Sequence, residues 1–121
     1  MNKIRKDQYA LITGASQGLG KSFALELAEK NINTLLVSLP GENLSVVNQE
    51  IKETYGVDSH FFELDMTEPE ELDAFTQQVN DRFEVFLLIN NAGIGGTMKF
   101  DRAKTRDIES IIKLNVWEVS V

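Results

Sequence analysis

Two apolar rhythms alternate along this chain. Short runs in which nearly every position is apolar give way to longer stretches with apolar residues three or four positions apart, and that alternation predicts strands and helices in β-α succession. Tyr9 to Thr13 reads as a first buried strand, and Leu19, Phe23, Ala24, Leu27 and Ala28 form a helical stripe that runs out near Lys30-Asn31. Thr34 to Ser38 is a second strand, ended by the turn residues Leu39-Pro40-Gly41. Leu44, Val47, Ile51 and Tyr55 mark the next helix, closed by Gly56, and Val57 to Leu64 alternates as a third strand.

Thr67-Glu68-Pro69-Glu70 is a helix start, with Thr67 as cap, proline in the first turn and acids at the positive dipole end. Leu72, Phe75 and Val79 carry that helix's apolar face. Val85 to Ile89 is unbroken apolar sequence, as suits a strand covered on both faces. Gly93 to Lys104 reads as an irregular loop. From Thr105 a last helix is expected, with Ile108, Ile111, Ile112, Asn115 and Val119 on one face. Strands and helices in this order predict a parallel sheet covered by helices.

One stretch adds chemistry to the pattern. In Thr13-Gly14-Ala15-Ser16-Gln17-Gly18-Leu19-Gly20 an apolar run ends in three glycines and a helix begins. The first lets the chain reverse, the second lets a ligand approach bare backbone, and the third lets helix pack closely on strand. The unpaired amides and the dipole at the helix start would then favour a phosphate-bearing ligand. A purely structural loop is the other reading. A Walker-type phosphate loop is excluded, because Gly20-Lys21-Ser22 lacks the four-residue spacer after Gly18.

Composition narrows the classes. The 121 residues, 42% of them apolar, suit one domain with a real core, spanning residues 1–121. No cysteine is present, which removes disulfide frameworks and thiolate metal sites. With 12 basic and 19 acidic residues the net charge is -7, so nucleic acid and anionic membranes are repelled as a whole and are not expected as partners. A bound phosphate must be held by local amides against that field. The basic start, Met1 to Lys6, lacks the apolar stretch of a signal peptide, and no segment approaches membrane-spanning length, so a cytoplasmic protein is expected. His60 is the only histidine and reads as a strand or surface residue, with no metal partners beside it. Glu68, Glu70, Glu71 and Asp73 read as a solvated helix start.

Four motifs in order resemble the short-chain dehydrogenase/reductase family: Thr13 to Gly20, Leu64-Asp65-Met66-Thr67, Asn90-Asn91-Ala92-Gly93, and Asn115-Val116. They cover nearly all of this chain and about the first half of a family member. The resemblance implies a Rossmann-type doubly wound α/β fold with strand order 3-2-1-4, truncated after the fourth strand and the following helix. It implies that Gly14, Ala15, Ser16, Gln17, Gly18, Leu19 and Gly20 line the pyrophosphate and adenosine ribose of a nicotinamide dinucleotide. Asp65 would accept a hydrogen bond from the adenine amino group, or simply cap the next turn. Met66 would offer its backbone and an apolar contact, and Asn91, Ala92 and Gly93 would lie beneath the cofactor. Asn90 or Asn91 can also tie neighbouring strands together.

By the same resemblance Asn115 is the catalytic candidate, holding a water in a proton relay. On the predicted apolar helix face its amide would cost about 1 to 3 kcal/mol without a polar partner, and local backbone is the plain alternative. The family's tyrosine with a lysine four residues later has no match, since Tyr9 is followed at that spacing by Thr13 and Tyr55 by Ser59. The serine that orients substrate belongs to a strand not seen here. The 121 residues are therefore expected to be the cofactor-binding front of a longer NAD(P)-dependent oxidoreductase acting on a small carbonyl or alcohol, a homo-oligomer when full length, and inactive alone. A stand-alone nucleotide-binding or scaffolding domain without catalysis is the alternative.

The cofactor's identity turns on the end of strand two. An acid about 20 residues after the glycine turn favours NAD, but Leu39 occupies that place and Glu42 is the first acid beyond it. No arginine stands there for a 2'-phosphate, and Lys21 and Lys52 are the candidates to reach one. The balance leans to NADP(H) over NAD(H).

Overall fold

The computed structural model describes residues 7–91, 108 and 112–120, the last strand through its backbone alone. Three β-α steps and two further strands build the sheet: β1 (Gln8–Thr13), α1 (Gly18–Glu29), β2 (Asn33–Ser38), α2 (Leu44–Tyr55), β3 (Ser59–Glu63), α3 (Pro69–Arg82), β4 (Glu84–Asn90) and β5 (Leu114–Ser120). The strands lie in the order β3-β2-β1-β4-β5, and every neighbouring pair is parallel. The expected order 3-2-1-4 is therefore present, with β5 added beside β4.

Each element follows from its sequence. α1 turns Gly20, Ala24 and Ala28 inward, small residues that bring the helix close to the sheet. α2 buries Leu44, Val47, Asn48 and Ile51 and ends at Gly56. α3 opens with Pro69, carries Glu70 and Glu71 in its first turn and Arg82 in its last, and so complements its own dipole at both ends. Its cap position is Glu68, one residue later than expected, because Thr67 turns its hydroxyl to Asp65 instead.

The core lies on both faces of the sheet. Ile12, Leu36 and Ile89 pack with Ala24, Leu44 and Ile51 beneath α1 and α2. Leu11, Leu35, Val37 and Leu88 pack with Leu72, Phe75 and Val79 beneath α3, joined by Ile108 and Ile112. Phe86 is an extra residue on β4, since Tyr9 pairs with Val85 and Ala10 with Leu87. That bulge puts Phe86 and Leu87 on one face in succession, while Val85 and Leu88 serve the other. It also brings Asn90 into register with Thr13.

The end of the chain departs from expectation. Ile112 donates its N–H to the Ile108 carbonyl at 3.0 Å. The Lys113 N–H then bonds Asn80 Oδ1 at 2.9 Å, and residues Leu114–Ser120 run as a strand rather than a helix. Val116, Trp117 and Val119 favour extended backbone, and pairing along β4 satisfies amides that an open edge would leave unpaired. Asn115 therefore lies near the start of β5, beside the Val85 end of β4, whereas Ser120 is the residue paired with Asn90. The helix on which Asn115 was expected is replaced by β5 at that position. Among the described residues no helix is long and apolar enough to cross a membrane.

Candidate functional site

The C-terminal ends of β1 and β4 meet at a tight polar junction. Thr13 is fully buried, and its hydroxyl donates to Asn90 Oδ1 and accepts from the Asn91 N–H, both at 2.9 Å. The Asn91 side-chain amide in turn donates to the Gly14 carbonyl at 3.4 Å. The two asparagines thus tie β4 to β1, the structural role anticipated for them. Thr13 is the partner that sequence reasoning passed over, reading it as the end of a strand. Its signal was present: a hydroxyl at the last position of an otherwise apolar run.

The glycine turn is built on that junction. Gly14 and Gly18 hold positive φ of 65° and 60°, which reverse the chain between β1 and α1. A Cβ placed on Gly20 would lie 2.0 Å from the Gly14 carbonyl oxygen and 2.8 Å from Asn91 Nδ2. Helix, turn and the asparagine just past β4 therefore meet where only a hydrogen fits. At Gly18, by contrast, an added Cβ would meet nothing within 4 Å, so the outer side of the turn is open.

The start of α1 suits an anion. Gln17, extended at φ -159°, precedes the helix without a side-chain cap, and the first turn holds no acid. Its leading amides and dipole face outward beside Ser16, Gln17, Gly18 and Leu19, all exposed or half-exposed. Ala15 is buried, its N–H bonded to the Val37 carbonyl at 3.0 Å, which fixes the turn to the end of β2. These residues fit a diphosphate: an exposed run of backbone with open space above it and a positive helix end behind it.

Further along the same sheet edge, Asp65 follows β3. Its Oδ1 accepts from the Thr67 N–H at 2.9 Å and hydroxyl at 2.6 Å, and those bonds hold its carboxyl below the usual carboxylate range. Asp65 thus closes the turn before α3, the local alternative foreseen for it, and its second oxygen carries no bond to Thr67. Met66 packs partly against the core beneath α3. Leu39 is exposed at the end of β2. Ala92 and Gly93 lie outside the described residues. Gly14 to Gly20, Leu39, Asp65 and Asn91 are thus gathered along one edge of the sheet, while Asn115 is not.

The comparisons with known proteins agree with this geometry. Residues 8–119 match the family described as short chain dehydrogenase. The chain belongs to that family.

Among curated short-chain dehydrogenase relatives, a very-long-chain 3-oxoacyl-CoA reductase of Eremothecium gossypii is 36% identical over 115 residues, covering 92% of this chain and 32% of that protein. A 3-oxoacyl-acyl-carrier-protein reductase of Aquifex aeolicus is 32% identical over 108 residues, 88% of this chain and 44% of that one. The chain spans less than half the length of these relatives. Among solved structures, L-sorbose reductase from Gluconobacter frateurii, complexed with NADPH and L-sorbose, superposes with a TM-score of 0.67 at 29% identity, covering 84% of this chain and 38% of that one. An alcohol dehydrogenase from Thermococcus sibiricus complexed with 5-hydroxy-NADP gives 0.66 at 28% identity, with 84% and 43% covered. Family and fold are those expected from the four motifs.

Proposed function

We propose that this chain is the cofactor-binding portion of an NAD(P)-dependent oxidoreductase, one that transfers a hydride between a nicotinamide cofactor and a small carbonyl or alcohol. The observation that carries the reading is the open turn over Gly18, backed by the uncapped start of α1 and braced from below by Gly20 against Gly14. The diphosphate rests on the amides of residues 14–20. Asp65 offers its remaining carboxylate oxygen to the adenine amino group and Met66 an apolar contact, while Asn91, followed by Ala92 and Gly93, lies beneath the cofactor. When bound, the nicotinamide supplies or accepts the hydride. Proton transfer belongs to groups that the 121 residues do not contain, since neither tyrosine has a lysine four positions on.

NADP(H) stands ahead of NAD(H) in this reading, because Leu39 places no carboxylate at the end of β2 and solved relatives carry NADPH or an NADP analogue. The whole protein is read as a cytoplasmic homo-oligomer without nucleic-acid or membrane partners.

Titration of the chain with NADPH, followed by fluorescence, tests the site. Saturable binding is expected, and Gly18→Asp should abolish it by placing a carboxylate at the helix start where no protein atom obstructs the new side chain. A titration without saturation, or a folded Gly18→Asp variant that binds as before, overturns the assignment.

A further inference from the structure

The connection between β2 and α2 is held from its flanks. From Leu39 to Asn43 it contains two left-handed positions, Gly41 at φ 85° and Asn43 at φ 58°, and Asn43 precedes α2 without a side-chain cap. Leu39, Pro40, Gly41 and Asn43 are all exposed. Backbone so open to solvent has many conformations to choose from, and contacts from neighbouring elements must select one.

Two ties reach the loop, one from each side. On the β1 side Ser16 Oγ donates to Glu42 Oε1 at 2.5 Å, a part-buried bond between residues 26 positions apart. On the β3 side the Gly41 N–H donates to Glu63 Oε2 at 3.3 Å. Glu63 has a rigid base for this contact. It pairs in register with Ser38, the last residue of β2, and Leu64 beside it donates its N–H to the Ser38 carbonyl at 3.0 Å. Strand alternation puts Glu63 on the face of Ser59, whose hydroxyl donates to Asn48 of α2 at 2.6 Å. The sheet thus fixes the root of the side chain, and its carboxylate catches the loop at the left-handed glycine where the chain turns towards α2.

We propose that Glu63 is a positioning residue of the cofactor site: through the Gly41 amide it holds the loop after β2, and Leu39 with it, in the conformation that receives the adenosine half of the dinucleotide. This rests on the dinucleotide reading above. Glu63 acts through backbone and contacts no cofactor atom, so it serves NADP(H) and NAD(H) alike. A bare effect of its charge would run the other way, because a carboxylate near the site opposes a ligand rich in phosphate. Loss of the tie weakens binding, whereas loss of the charge alone would tighten it.

The test measures Kd for NADPH and for NADH on the parent chain, Glu63→Ala and Glu63→Gln, each well below its own melting temperature. Glu63→Ala should weaken both cofactors by about three- to tenfold, the scale of one hydrogen bond, and hydrogen exchange of the Gly41 amide should quicken. Glu63→Gln keeps an acceptor oxygen without the charge, and should hold both affinities within about twofold of the parent. Affinity unchanged or tightened in Glu63→Ala overturns the inference, as does a change confined to one cofactor or a glutamine variant as weak as the alanine one. Each of those results leaves the dinucleotide site standing, whereas failure of the parent chain to bind either cofactor overturns both together.

Discussion

Gly20 sits so close beneath Gly14 that a methyl group on the first would have its carbon 2.0 Å from the carbonyl oxygen of the second. The contact is backbone against helix, and no flexible side chain can yield to relieve it. Gly20→Ala should therefore cost about 3 kcal/mol of stability, at the upper end of ordinary overpacking, and displace the turn from Asn91. Urea denaturation would show the loss of stability. NADPH titration on the folded fraction would show weakened binding, because the amides move with the turn.

Thr13 is the keystone of the β1–β4 junction, since one buried hydroxyl serves both asparagines. Thr13→Val keeps the shape and removes the oxygen, leaving the Asn91 N–H and Asn90 Oδ1 short of that partner. A loss of about 1 to 3 kcal/mol is expected on denaturant unfolding. Thr13→Ser should recover most of it, and equal losses for serine and valine would show that packing rather than the hydroxyl matters.

Tyr9 and Asp58 form a second polar pair, at the opposite edge of the sheet from the glycine turn. Burial, then the hydrogen bond to the Asp58 carboxylate, pushes the Tyr9 phenol up from 10.0 to about 12. Its protonated form is favoured by folding, so its contribution is complete below pH 10.0 and is lost as the pH rises towards about 12. For Asp58, burial raises the carboxyl, but hydrogen bonds from Tyr9 and His60 outweigh it and the result is a lowering from 3.8. Its contribution is present above 3.8 and is lost as the pH falls through the lowered value. Tyr9→Phe should flatten the alkaline limb of a stability-against-pH curve and move the acid limb upward. An alkaline limb identical to the parent's would rule Tyr9 out as its source.

Asp65 has a structural bond to Thr67 and a proposed contact with adenine, and two substitutions separate them. Thr67→Val removes the hydroxyl bond and keeps the carboxylate, whereas Asp65→Ala removes both. Dinucleotide affinity should fall about five- to tenfold in Asp65→Ala and little in Thr67→Val, as the loss of one hydrogen bond implies. Equal affinities for the two variants would confine Asp65 to its turn.

Leu36 and Leu88 are fully buried on opposite faces of the sheet. Truncating either to alanine leaves a cavity that rigid strands cannot close, at a cost of about 2 to 5 kcal/mol each. Denaturant midpoints of the single and double variants should show near-additive losses, because the sheet separates the two clusters.

The elements were legible wherever one rhythm ran long enough to declare itself. The α2 stripe of Leu44, Val47 and Ile51, the unbroken run of β4 and the glycines between β1 and α1 all stand in the structure where their spacing put them. Leu114–Ser120 was misread because Asn115 and Val119 continue a helical spacing set by Ile108 and Ile112, while the free edge of β4 offered pairing that no local pattern displays. The site divided in the same way. The turn was visible as three glycines, but the closure of Thr13 on Asn90 and of Ser16 on Glu42 was not.

By itself the sequence determined the β-α succession, the place of the glycine bend and the family, because periodicity, turn chemistry and motif order are properties of neighbouring residues. Only the tertiary structure decided that β5 flanks β4, that Thr13 locks the junction and that Glu42 reaches the glycine turn. Those outcomes are contacts between residues 26 to 78 positions apart, and they exist only once the sheet has brought its strand ends together.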